Sequence, residues 1–225
     1  PFSVLIRGCS FMIAYEAGVL AALWNQAPAM LKSASKIYGA SSGAIIATIA
    51  LCECDLGKGY ALPPLLYEMK QDFYKFVENS FCSFVLGRRP IKTLREVLNK
   101  HLPPNAHQLV SGKLNVIVTR VRDCRSVVVS DFTSKEDLIQ AILCSCYIPL
   151  YFGLLPLVYR GVRYIDGEIG MWRASFVTPS TITISSFAGE YDICPKEDPA
   201  AFFTFQISDC ILQLSKRNLC RLMHI

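Results

Sequence analysis

Histidine is scarce: His101, His107 and His224 are the only three in a chain of 225 residues. They are not at zinc-ligand spacing and no C-x-x-C occurs, so a zinc ribbon, a zinc finger and a thioredoxin-like redox site are excluded. No apolar run approaches the ~18 residues needed to span a bilayer. The longest candidate, "GAIIATIALC" at 43–52, suits a buried helix better. No basic stretch followed by a short apolar segment opens the chain, so no signal peptide is visible. Internal repeats and low-complexity tracts are also missing. Charged residues make up only 18% against 52% hydrophobic, which excludes general disorder. The net charge of +5 is mild and its basic residues are scattered. That pattern permits contact with an anionic lipid surface and argues against nucleic acid.

Cysteine, by contrast, is plentiful at ten residues. Cys52/Cys54 and Cys144/Cys146 are C-x-C pairs in segments that read as helix. Residues two apart on a helix point to different faces, so neither pair can bridge locally. The expectation is reduced, buried thiols in a cytoplasmic protein.

The length suits one large domain with a real core. "FSVLI" (2–6) reads as a buried strand, followed by a helix from Phe11 to Trp24, and "APAMLKSA" as a second, short helix. "KIYGA" reads as the next strand and Ser42 to Cys54 as helix. Strand–helix–strand–helix is the signature of a parallel α/β sheet. "LGKGYALPP" (56–64) is a loop; "LLYEMKQDFYKFVEN" and "IKTLREVLNKHL" read as an inserted helical layer. "KLNVIVTRV" and "RSVVVSDF" predict a hairpin through "RDC", and "TSKEDLIQAILCSC" a helix with Ser134 as N-cap, stopped by Pro149. "LPLVYRGVRYIDG" predicts two short strands around Arg160-Gly161, "STITISSF" a further strand, and the stretch from about Asp209 a helix.

Chemistry concentrates at three turns. Gly39-Ala40-Ser41-Ser42-Gly43 fits G-x-S-x-G between a strand and a helix. Flanking glycines allow a sharp turn that holds Ser41 clear of the sheet as a nucleophile; an incidental tight turn is the plain alternative. Ser42 is expected to cap the helix. A serine needs a base. The order Ser41…Asp166…His224 would suit a histidine-triad α/β-hydrolase, but no "HGGG" loop is present, and each histidine reads better as structural or solvated. Asp166 is then the outstanding carboxylate, at the end of "RYI" and before Gly167, although an Asp-Gly turn alone would explain it. The third turn is "RGCSF" (7–11), where backbone N–H groups before a helix could hold an oxyanion.

Together the three turns resemble the patatin-like phospholipase family. In that family a glycine-rich G-x-G-x-x-G or similar loop forms the oxyanion hole, a G-x-S-x-G elbow carries the serine, and D-G-G or D-G-A supplies the aspartate of a Ser–Asp dyad. The corresponding residues here are Gly8-Cys9-Ser10-Phe11-Met12, Gly39-Ala40-Ser41-Ser42-Gly43 and Asp166-Gly167-Glu168. "VVVSDFTSKEDLI", "CSCYIPLYFGLLP" and "YRGVRYIDG" are similar to the animal branch that contains adiponutrin and adipose triglyceride lipase. The resemblance implies a three-layer α/β/α fold with a central, mostly parallel sheet over residues 1–225, as one domain of a longer protein. It implies a lipid acyl hydrolase or transacylase without metal or cofactor, peripheral on lipid droplets or intracellular membranes. Ser41 would be nucleophile and Asp166 base. The N–H groups of Gly8, Cys9 and Ser10 would form the oxyanion hole, and Gly39 and Gly43 would shape the elbow. Ser10 and Glu168 depart from the family glycines, and both are expected to weaken catalysis, in the limit leaving a lipid-binding pseudoenzyme.

Overall fold

A computed structural model describes residues 1–9, 12–52, 89–171, 178, 180–196, 204–207 and 210–222. The expected loop at 56–64 and the helix "LLYEMKQDFYKFVEN" lie outside the described residues, as do Ser10 and His224.

Strand β1 (Ser3–Ile6) leads to helices α1 (Ile13–Gln26) and α2 (Pro28–Ser33), then to β2 (Lys36–Ala40) and α3 (Ser42–Leu51). After α4 (Arg89–His101) and α5 (Ala106–Val110) come β3 (Leu114–Arg120), β4 (Arg125–Val129) and α6 (Lys135–Ser145). Next are β5 (Leu157–Tyr159), β6 (Val162–Ile165), the single-turn α7 (Gly167–Met171) and β7 (Thr181–Ile184). A small hairpin of β8 (Thr204–Ile207) and β9 (Cys210–Gln213) precedes α8 (Lys216–Leu222).

Local chemistry accounts for the boundaries. Pro28 opens α2, where its missing N–H costs nothing. Ser134 caps α6 by accepting the Asp137 N–H at 3.1 Å, and the Asp137 carboxylate accepts the Thr133 N–H at 3.0 Å. Arg160 (φ 46°) and Gly161 (φ 78°) make the tight β5–β6 turn. Helix α3 is buried from Ser42 to Ala50, so it reads as apolar on every side rather than amphipathic.

The main sheet has seven strands in the order β5-β6-β3-β2-β1-β7, with β4 also paired to β3. The run β3-β2-β1-β7 is parallel; β4, β5 and β6 are antiparallel additions. The molecule is thus α/β with a mixed sheet. Side chains alternate across it. Val4, Ile6, Ile37, Val116 and Val118 face the large core shared with α1, α3 and α6. Leu5, Tyr38, Ala40 and Ile117 face the other way, toward Met171 of α7.

The helix expected from about Asp209 is corrected. Cys210–Gln213 is a strand paired antiparallel with β8, and helix begins only at Lys216. "CILQ" is too short to distinguish strand from helix by periodicity, and its partner strand decides the matter.

Candidate active site

Three strand ends converge. Strand β2 delivers Ser41 directly into α3, with φ 52° and ψ −127°, a backbone conformation rarely held by a residue with a side chain. The glycines of the elbow are required by space. A Cβ at Gly43 would lie 2.2 Å from the Ile6 carbonyl oxygen, and one at Gly39 would lie 2.6 Å from the Ala44 Cα. Ser41 is pinned from α6: its N–H donates to Ser145 Oγ at 2.9 Å, and that hydroxyl donates to the Ile117 carbonyl at 2.6 Å.

Asp166 arrives from the opposite direction. Strand β6 runs antiparallel to β3, with Ile165 opposite Thr119, so the chain leaving β6 descends toward the level of Ser41. There Gly167 passes so close that a Cβ would meet the Ile117 carbonyl oxygen at 2.2 Å. The Asp166 backbone is tied at both ends: its N–H donates to Tyr147 O at 2.8 Å, and its carbonyl accepts from Thr119 Oγ1 at 2.6 Å. Its Oδ1 accepts the Glu168 N–H at 2.9 Å, capping the first turn of α7.

The Ser41 side chain faces both the Asp166 carboxyl and the Cys146 thiol. Burial pushes Asp166 up to about 7; the neighbouring Glu168 charge adds to this, while the Ser41 hydroxyl and the Glu168 N–H oppose it. A carboxyl poised there can accept a proton near neutral pH. Burial also holds the Cys146 thiol well above its ordinary range, with Asp166 reinforcing it.

On the other side of Ser41, β1 leads into Arg7, Gly8 and Cys9. The Cys9 N–H donates to Ser42 Oγ at 2.8 Å, and the same hydroxyl lies 3.2 Å from Cys9 Sγ. Ser42 therefore holds the β1–α1 loop and does not cap α3, whose N-cap position is Ser41 itself. Beneath the loop, Glu16 of α1 is buried beside Cys9, and burial raises both groups well above their usual values. The Gly8 N–H donates to Glu168 Oε1 at 2.6 Å, and Arg7 Nη2 donates to Glu168 Oε2 at 2.8 Å. Among the described residues no group of three or more His, Cys, Asp and Glu could hold a metal ion, and no helix is long and apolar enough to cross a membrane.

A strained serine elbow, a buried aspartate before glycine and a loop after the first strand all lie within residues 4–171, the span matched by the model of the family "Patatin-like phospholipase". The chain belongs to the patatin-like phospholipase family. The human "Omega-hydroxyceramide transacylase" is 41% identical over 226 residues, covering 100% of this chain and 41% of that protein. Rat "Patatin-like phospholipase domain-containing protein 2" is 38% identical over 98% of this chain and 45% of its own length. Human "1-acylglycerol-3-phosphate O-acyltransferase PNPLA3" is 38% identical over 97% of this chain and 44% of its own length. This patatin-like chain therefore spans less than half of each of these relatives.

Sequence reading singled out Ser41, Asp166, Gly8, Cys9, Gly39 and Gly43, and the fold brings all of them to one place. It missed Ser145 and Thr119, which anchor the two principal residues from α6 and β3. No local motif marks either one. His101 lies in α4 and His107 in α5.

Proposed function

We propose that this patatin-like domain hydrolyses or transfers the acyl group of lipid esters, with Ser41 as nucleophile and Asp166 as base. The carrying observation is the juxtaposition of a serine held at φ 52° with a buried aspartate whose carboxyl is raised to about 7. Ser41 Oγ attacks the acyl carbonyl and its proton passes to Asp166. The ester C–O bond then breaks, and Asp166 returns the proton to the leaving alcohol. Water or a second alcohol attacks the acyl-serine, gives its proton to Asp166 and releases acid or new ester, and that proton restores Ser41. The N–H groups of Gly8 and Ser10 are the proposed oxyanion donors; the Cys9 N–H, expected among them, is taken by Ser42 Oγ. The names of the relatives, a transacylase, a phospholipase-domain protein and an acyltransferase, support acyl chemistry on lipids.

The domain works at a lipid surface, on the cytoplasmic side of droplets or intracellular membranes. Leu150, Leu154 and Leu155 are 69%, 80% and 62% exposed, an apolar cluster on the loop that follows Tyr147, whose carbonyl holds Asp166. The buried thiols of Cys9, Cys144 and Cys146 suit a reducing compartment.

A fluorophosphonate probe tests the chemistry. Mass mapping should find the label on Ser41 and none on Ser41→Ala; a folded, unlabelled wild-type domain would instead indicate a lipid-binding pseudoenzyme. Changing Leu154 and Leu155 together to serine should lower partition onto phospholipid-coated triacylglycerol droplets at least about tenfold, since each fully buried leucine contributes ~1.5–3 kcal/mol. Unchanged partition would remove the loop from the docking surface.

A further inference from the structure

Glu168 does more than stand beside Asp166. Its carboxylate reaches across the site and takes one donor with each oxygen, the Gly8 N–H at 2.6 Å and the Arg7 guanidinium at 2.8 Å. The position is crowded against the nucleophile: a Cβ placed on Gly8 would lie 2.7 Å from Glu168 Cγ and 2.7 Å from Ser41 Cβ. Gly8 is the first residue of the loop proposed to receive the acyl oxygen, so its N–H already has an anionic oxygen on it.

The cradle is built rather than incidental. The Arg7 side chain is only 5% exposed, and its guanidinium also lies 5.7 Å from the centre of the Tyr191 ring. Two donors, one to each oxygen, suit a planar carboxylate.

We propose that Arg7 and the Gly8 N–H form a carboxylate-binding cradle beside Ser41 that Glu168 occupies at rest, so that acylation requires Glu168 to leave and the carboxylate of a free fatty acid competes for the same donors. This rests on the nucleophile assignment above. It makes Glu168 a plug of the oxyanion position and gives the domain a built-in affinity for its own product. The carboxylate of a released fatty acid is generated at Ser41, a side-chain width from the cradle.

The test is the rate at which a fluorophosphonate labels Ser41 in the wild type, Glu168→Ala and Glu168→Asp, with octanoate as competitor and thermal unfolding as the check on folding. Glu168→Asp keeps a charge for Arg7 but is a methylene too short to hold the Gly8 N–H as well. Both variants should label at least about tenfold faster, in line with the ~100- to 1000-fold value of one oxyanion donor. Octanoate should slow labelling of Glu168→Ala at concentrations about tenfold lower than it needs against the wild type. Folded variants that label no faster than the wild type overturn the plug and leave Ser41 as nucleophile. Acceleration by Ala alone, with Asp equal to the wild type, would assign the effect to charge beside Asp166 and overturn the plug as well. Octanoate equally weak against all three overturns the cradle. No labelling of any folded form would remove both the nucleophile and this inference.

Discussion

Ser41 arrives on a parallel strand and Asp166 on an antiparallel one, and the two are held by different physics. On the serine side the constraint is steric and backbone-based. β2 stops, φ turns to 52°, and two glycines admit a turn that any Cβ would block. On the aspartate side Gly167 again admits a close backbone approach, but Asp166 itself has no positive φ and the distinguishing constraint is electrostatic. A short hairpin folds the chain back beside Ile117, burying a carboxyl whose ionisation the surroundings oppose. The first half fixes where the nucleophile stands, and the second sets how readily its proton is taken.

The largest effect should come from relieving strain on the serine side. Ser41→Gly removes the nucleophile and places at φ 52° the residue that accepts it. Ester hydrolysis should fall about 10⁴-fold or more. Stability to urea should rise by on the order of 1 kcal/mol, the strain relieved less the entropy cost of glycine. A variant that loses both activity and stability would mean that the elbow is not strained.

The aspartate side should respond to pH instead. Asp166→Asn keeps an acceptor for the Glu168 N–H and removes the base, so turnover should drop ~100- to 1000-fold. With the wild-type carboxyl raised to about 7, activity should climb as pH passes through 7. Stability runs the other way. A folded value above the ordinary 3.8 means that the native state prefers the proton. The stabilising contribution is full below about 3.8 and is lost as pH rises through about 7. Wild type should therefore unfold more easily at pH 8 than at pH 6, and the Asn variant should show a smaller difference. Equal pH dependence of unfolding in the two proteins would place the ionisation elsewhere.

The same contrast explains what the sequence could reveal. G-x-S-x-G is a local steric device, so the chain spells out Gly39, Ser41 and Gly43, and the short strand and the apolar run flanking them read as strand and helix. Asp166 was legible as a residue before glycine, but its burial and its descent beside Ile117 depend on β6 pairing with β3, a long-range event. The role of Glu168 was only half legible. Its charge beside Asp166 could be expected, whereas its reach to Gly8 and Arg7, 160 and 161 residues away, could not. The terminal "CILQ" failed for a similar reason, because only the hairpin partner makes it a strand.

The smallest effect separates positioning from packing. Ser145 and Thr119 play matching parts on the two sides. Each is buried and each hydroxyl bridges two backbone groups: Ser145 joins the Ser41 N–H to the Ile117 carbonyl, and Thr119 joins the Asp166 carbonyl to the Gly170 N–H. Ser145→Ala and Thr119→Val each remove a hydroxyl bonded to two buried backbone groups, so both should destabilise by a similar ~1–3 kcal/mol. Their consequences for chemistry should differ. The Ser41 N–H sits on the strained residue itself, and releasing it lets the elbow relax, so Ser145→Ala should slow fluorophosphonate labelling about tenfold. Asp166 keeps the Tyr147 carbonyl on its own N–H and the Glu168 N–H on its carboxyl, so Thr119→Val should slow labelling only about two- to threefold. Ser145→Cys, a poorer but present bridge, should recover part of the loss. Equal slowing by the two variants at equal destabilisation would show that Ser145 only packs, and that the glycines alone hold the nucleophile in place.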